Sequence, residues 1–130
     1  MIKPNPWLVG TSFCFILPAT LNAVKGKWAL YSIDVAMMIV SSVYHMTKIV
    51  PIFYVDAFTG YLLAIMHVIY AVYMEVAWIP ISGIIYCIIL FYYGYIFKQF
   101  VWHPILLYAT LWHVSMHISV LLVITSLALM

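Results

Sequence analysis

Six ionisable side chains lie inside the apolar stretches of this 130-residue sequence, where such groups are costly. A single buried histidine is more often an interhelical hydrogen-bonding residue than a ligand, so each one alone predicts only a structural contact. Spacing and order along the chain decide which of them could act together. The six are Asp34, His45, Asp56, His67, His113 and His117.

Spacing and order along the chain make three of these histidines candidate metal ligands. His113 and His117, in "HVSMH", are four residues apart and therefore share one face of a helix, one turn apart. Ser41 and His45 show the same spacing in "SSVYH". Three neutral imidazoles leave the fourth position of a zinc ion open for water, as in catalytic rather than structural sites. The sequence therefore predicts a metal site formed by His45, His113 and His117, with the ligand set that suits catalytic zinc.

Asp56 and Ser41 would complete a hydrolytic centre. Zinc lowers the pKa of its bound water to about 7. A carboxylate within hydrogen-bonding reach, here Asp56, could take the water's proton and pass it to the leaving group. Ser41 could orient the water or stabilise the developing oxyanion.

The elements that must position these groups are membrane-spanning helices. The chain is 68% hydrophobic and 6% charged, with a mean hydropathy of +1.18, far outside the range of soluble domains. One span needs roughly 20 apolar residues, and breaks containing charge, Pro or Gly leave five of them. We therefore predict an all-α integral membrane protein, a single multi-pass domain with helices near 7–24, 28–50, 54–74, 77–97 and 104–128.

Helix order brings the predicted site together. The second helix ends on one side of the membrane, the third leaves from that side, the fourth returns to it and the fifth departs from it. Ser41, His45, Asp56, His113 and His117 therefore fall on the same side at similar depth. The site does not depend on the first span, which could also be interpreted as a signal peptide.

This pattern resembles the CREST superfamily of membrane proteins. That group includes the alkaline ceramidases, the progestin and adiponectin receptors, the hemolysin III proteins and the lipid-remodelling hydrolases of GPI anchors. The similarity lies in S-x-x-x-H at Ser41 and His45, an aspartate at Asp56 and H-x-x-x-H at His113 and His117. It implies a zinc ion held by the three histidines and hydrolysis of a lipid amide or ester, on a fold of seven helices.

Five helices in place of seven make this a reduced version of that fold. Loss of two spans preserves the side on which the last helix begins, but leaves fewer walls around the lipid. We therefore expect either a small substrate or a homodimer that completes the pocket. The N-terminal "MIKPNPWLV" contains no acidic residue, so the calcium site of alkaline ceramidases is not expected, and ceramide itself is one acyl-lipid substrate among several.

Two alternatives to a ceramidase-like hydrolase remain open. One is a receptor-like or membrane-remodelling CREST protein that keeps the metal without turnover. The other is a haem-binding electron carrier, since paired transmembrane histidines also bind haem iron. Five scattered lysines and a net charge of +2 exclude a nucleic-acid surface and leave lipids and other helices as partners.

Asp34 and His67 lie away from the predicted site. Asp34 is eleven residues before His45, and His67 is eleven residues after Asp56, so both lie deeper in the membrane. They could line a polar cavity leading from the metal, or could pair with each other as a structural contact. The high cost of burying an unpartnered polar group favours the pair.

Overall fold

The computed structural model describes residues 6–96 and 111–130, and every regular element in those ranges is an α-helix. The all-α prediction is confirmed. The predicted start of the last helix near 104 lies outside the described residues. The helices are α1 (Pro6–Phe13), α2 (Ile16–Val24), α3 (Trp28–Thr47), α4 (Val50–Tyr73), α5 (Trp78–Ile96) and α6 (Leu111–Leu129).

The first predicted span is divided into α1 and α2 by a turn at Cys14 and Phe15. Pro18 accounts for the break, because its ring clashes with the carbonyl group four residues earlier, that of Cys14. The Cys14 carbonyl instead accepts a tighter bond from the Leu17 N–H, at 3.0 Å. Pro80 has no comparable effect, because it lies in the first turn of α5, where its missing N–H would have no partner in any case.

A two-residue connection joins α3 to α4. Lys48 adopts a left-handed conformation (φ 54°), and its N–H donates to the Tyr44 carbonyl at 2.7 Å, which ends α3. Helix α4 then begins at Val50, four residues earlier than predicted, because Pro51 is well suited to the first turn. The chain therefore reverses sharply and brings the end of α3 close to the start of α4.

The bundle is organised around α3 and α6. Helices α1 and α2 both pack against α3 and α6, α4 packs against α3, and α5 packs mainly against α6. The first predicted span is thus an integral part of the bundle. A central apolar cluster joins three of the helices, α3, α4 and α6, and the α1–α2 turn, and consists of Phe15, Ile33, Met37, Leu63 and Ile124.

Two local features fix α6. A Cβ atom added to Gly83 of α5 would lie 2.7 Å from Val123 Cγ2, so α5 and α6 approach each other closely at this glycine. At the C-terminal end of α6, Lys27 Nζ donates to the carbonyl groups of Leu127 and Ala128, both at 3.3 Å, and Lys25 donates to that of Leu129. Cations at this end complement the helix dipole.

Three described segments are long and apolar enough to cross a membrane: Pro6–Val24 (α1, α2 and the turn between them), Trp28–Thr47 and Val50–Tyr73. Two shorter apolar helices accompany them, over Trp78–Tyr93 and His113–Leu129. The outer face of α4 carries large exposed apolar side chains at one-turn spacing, namely Phe58, Tyr61, Ile65, Ile69 and Val72. This is the reverse of the pattern on a helix at the surface of a soluble protein.

Candidate metal centre

Three histidines from two helices meet in the interior of the bundle. His45 comes from the last turn of α3, and His113 and His117 come from the first two turns of α6. Their ring centroids form a nearly equilateral triangle with sides of 5.0, 5.1 and 4.9 Å, and the rings meet edge to face. All three side chains are buried. One nitrogen of each ring lies within 4.8 Å of the other two, so the group could hold a metal ion.

Thr11 contacts His117 and influences which of its two ring nitrogens carries the hydrogen. Thr11 Oγ1 donates its hydrogen to the Trp7 carbonyl, at 2.9 Å, and lies 2.9 Å from His117 Nδ1. When the hydroxyl hydrogen points to the Trp7 carbonyl, the Nδ1–H of His117 is the donor in this second contact. The lone pair of His117 is then on Nε2, the tautomer in which Nε2 can bind a metal.

The lysine that ends α3 also contacts one of the three histidines. Lys48 Nζ lies 3.1 Å from His45 Nδ1 and 5.0 Å from the centroid of the Tyr44 ring. Burial lowers the pKa of Lys48 to about 8, against the attraction of Asp56, which raises it. An ammonium group that donates to Nδ1 leaves the imidazole hydrogen on Nε2. His45 Nε2, which has no hydrogen-bond partner in the described residues, binds a metal only when Lys48 releases Nδ1 or accepts its hydrogen.

A chain of hydroxyl groups leads to Asp56. Ser41 on α3 forms a side-chain hydrogen bond with Asp56 on α4. Ser41 Oγ also lies 2.9 Å from Ser12 Oγ of α1, and Ser12 Oγ lies 2.7 Å from the Leu8 carbonyl. Ser41 can therefore donate to an Asp56 carboxylate, or accept from an Asp56 carboxylic acid while donating to Ser12. The second oxygen, Asp56 Oδ1, has no hydrogen-bond partner in the described part of the chain.

A largely apolar cavity of about 670 Å³ begins at this centre. Asp56, His113 and His117 line it near this centre, and Met37, Leu63 and Ile124 of the central cluster line it further along the helices. The volume falls within the range of small-molecule sites, roughly 300–1,000 Å³. The geometry thus combines a group able to bind a metal, a carboxyl group and an apolar chamber.

Asp34 and His67 lie apart from the histidine triangle and contact each other. His67 Nδ1–H donates to the Leu63 carbonyl at 2.8 Å, and His67 Nε2 faces Asp34 Oδ1 at 3.4 Å. The Asn22 amide donates to Asp34 Oδ2 at 2.8 Å. This is the paired arrangement that the sequence favoured. His67 also lines the cavity, so the pair lies at the cavity wall rather than in a separate core.

All five predicted site residues thus lie close to at least one other member of the set, but the sequence pattern did not single out their supporting residues. Thr11 and Ser12 belong to the first span, so the expectation that the site is independent of that span is wrong. A signal was present, because "TS" at 11–12 is a polar pair within an apolar stretch. Lys48 has no role in the sequence-based prediction, although it follows His45 by three residues and so lies one turn away.

Comparison with known proteins adds no assignment: no family model, curated protein or solved structure matches the chain. The class of molecule is therefore described by its own fold and site. It is an all-helical bundle with a buried three-histidine group next to a carboxyl group and an apolar cavity.

Proposed function

We propose that this protein is a zinc-dependent intramembrane hydrolase that cleaves a lipid amide or ester. The observation that supports it most directly is the convergence of His45, His113 and His117, with Asp56 lining the same apolar cavity as His113 and His117. Three histidine ligands with an open fourth position are typical of catalytic zinc. When bound, zinc would activate water at neutral pH and polarise the scissile carbonyl group.

Placement in a membrane is part of the proposal. The exposed apolar stripe along α4, from Phe58 to Val72, would be an aggregation surface in water but is stable against lipid. Burial of the site among these helices favours a substrate that arrives through the bilayer. A homodimer that adds walls to the cavity stays a prediction.

Asp56 would carry out the proton transfers of the reaction, with support from Ser41. Asp56 would accept a proton from the attacking water and return it to the leaving amine or alkoxide. Ser41 can serve both protonation states of Asp56, because its hydroxyl donates to the carboxylate and accepts from the acid. The tetrahedral addition to the carbonyl then collapses to a free carboxylic acid and an amine or alcohol.

The proposed ligands suit a small ion better than a macrocycle. Ring centroids about 5 Å apart leave no space between the histidines for a porphyrin. A Soret band in the purified protein would nevertheless favour the haem alternative over zinc.

Metal content and turnover can be tested separately. Purified protein is expected to contain close to one zinc per chain, and His113→Ala and His117→Ala should lose it. Absence of zinc from a well-folded wild-type protein would disprove the metal assignment.

A panel of lipid amides and esters tests hydrolysis. Asp56→Asn should keep zinc and lose turnover, whereas Glu75→Gln, a carboxyl control outside the bundle interior, should retain both. If the zinc-loaded wild-type protein cleaves none of the lipids, the receptor-like alternative replaces the hydrolase.

A further inference from the structure

The cavity extends well beyond the candidate metal centre along three helices. On α4 its lining includes Phe53, before Asp56. Beyond the centre it continues from Asp56 to His67 on α4, from His113 to Ile124 on α6 and from Phe91 to Pro80 on α5. Each interval is eleven residues, which at 1.5 Å per residue is about 16 Å. The cavity is therefore an elongated chamber parallel to the helices, with the metal centre near one end.

Small side chains make room for this chamber. Ala57, Gly60 and Ala64 line it from α4 at one-turn spacing, and Gly83 and Cys87 line it from α5. A Cβ atom added to Gly60 would meet only Met37 Cε, at 4.0 Å, so the space beside this glycine is open.

A buried polar cluster borders the far end of the chamber on the α4 side. His67 lines the cavity there, and behind it lie Asp34 and Asn22, both fully buried. The Asn22–Asp34 hydrogen bond and the Asp34–His67 contact hold this cluster together, and an apolar chain pushed into it would separate polar groups that have no access to water. The Asn22–Asp34–His67 cluster thus limits how far an apolar ligand can extend.

We infer that the chamber binds the acyl chain of the substrate and selects for its length. Gly60 and Ala64 determine the width of the chamber, and the Asn22–Asp34–His67 cluster determines its length. This inference rests on the proposed function, because it places the scissile carbonyl at the histidines. An extended chain advances about 1.2 Å per bond, as a polypeptide backbone does, so about 16 Å accepts roughly 13 or 14 carbons. The preferred acyl group is therefore close to tetradecanoyl.

Alkyl hydroxamic acids test the inference without turnover. The hydroxamate group binds zinc and the alkyl tail then enters the chamber, so the dependence of binding on tail length reports the length of the chamber. For zinc-loaded wild-type protein in detergent, the increase in Tm should be largest for tetradecanohydroxamic acid and smaller for the hexano, decano and octadecano compounds. A Tm increase without an optimum near tetradecano overturns the inference.

Two variants should shorten the preferred chain in a fixed order. Gly60 lies about 6 Å beyond Asp56 and Ala64 about 12 Å beyond it. Ala64→Leu is expected to move the optimum towards the decano compound and Gly60→Leu towards the hexano compound. Gly10→Leu, on α1 and outside the cavity, adds the same side chain where nothing lies within 4 Å and should leave the profile unchanged.

The outcomes separate the two proposals. An optimum that moves with Gly60→Leu and Ala64→Leu, in a protein that cleaves no lipid, supports the chamber and contradicts the hydrolase. Hydrolysis together with an unmoved optimum supports the hydrolase and contradicts the chamber. The same hydroxamates without zinc show whether the tail or the metal provides the binding.

Discussion

At the scale of single residues, the site depends on side chains that touch the candidate ligands. Thr11 and Lys48 each contact one imidazole, and their effects should be opposite. The Thr11 hydroxyl accepts from His117 and holds its metal-binding tautomer. The Lys48 ammonium group brings positive charge to His45 and competes for its lone pair.

Thr11→Val should weaken zinc binding. The substitution keeps the shape but removes the acceptor for His117 Nδ1–H, and loss of such a supporting contact typically costs about 10- to 100-fold in metal affinity. Competition with a chromophoric chelator measures the Kd. Thr20→Val is the matched control, since the Thr20 hydroxyl is exposed and bonds only to Ile16 of its own helix. Equal affinities for the two variants would refute a role for Thr11.

Lys48→Met should strengthen zinc binding. The change removes a cation that lies 3.1 Å from His45 Nδ1 and frees the ring to place its hydrogen there. A metal ion is also repelled by a nearby ammonium group, and poorly hydrated surroundings screen that repulsion little. The same chelator competition applies. A lower affinity in Lys48→Met would indicate instead that Lys48 accepts the Nδ1 hydrogen and supports the ligand.

At the scale of helices, the contact between α5 and α6 depends on one glycine. Gly83→Ala would place a methyl group 2.7 Å from Val123 Cγ2, and a β-branched side chain in a helix has little freedom to move away. Overpacking of this kind costs about 1–3 kcal/mol, more than the helix propensity gained. We expect a lower Tm in detergent.

Gly60→Ala is the control for that helix contact. Its new methyl group would meet only Met37 Cε at 4.0 Å, so its Tm should equal or exceed that of the wild-type protein. If both alanine variants shift the Tm alike, then close packing at Gly83 is not the cause.

Helix identity followed from the sequence, but helix ends and supporting contacts did not. Apolar runs and their breaks were enough to locate α3 and α5, whose first residues, Trp28 and Trp78, lie at or within one residue of the predicted starts. Helix α4 begins earlier than predicted because Pro51 is a first-turn residue of the helix, whereas the prediction places it in the connection between two spans. The division at Pro18 depends on the local clash with Cys14, which hydropathy does not report.

The predicted site residues are grouped as the order of the helices required, because the side on which a helix begins depends only on how many spans precede it. Thr11, Ser12 and Lys48 could not be assigned in the same way. Their contacts depend on the rotation of α1 and on the left-handed residue at the end of α3, and neither leaves a periodic pattern in the sequence.

At the scale of the whole molecule, the histidine group joins distant parts of the chain. His45 and His113 are 68 residues apart, and a metal ion held by both would link α3 to α6. A ligand that binds only the folded state stabilises it by about 2.7 kcal/mol at 100 times its Kd. Zinc should therefore raise the Tm of wild-type protein and a chelator should lower it. His113→Ala should show neither response, and a full response in that variant would place the metal elsewhere.

The contact between Asp34 and His67 also has a consequence for biogenesis. Asp34 emerges from the ribosome 33 residues before His67, so α3 would enter the membrane with a carboxyl group that still lacks this partner. Asp at the centre of a span costs about 2.5–3.5 kcal/mol on insertion scales. Helices α3 and α4 should therefore insert as a hairpin. In a glycosylation-reporter assay, α3 with α4 should integrate more efficiently than α3 alone, and Asp34→Leu should abolish the difference.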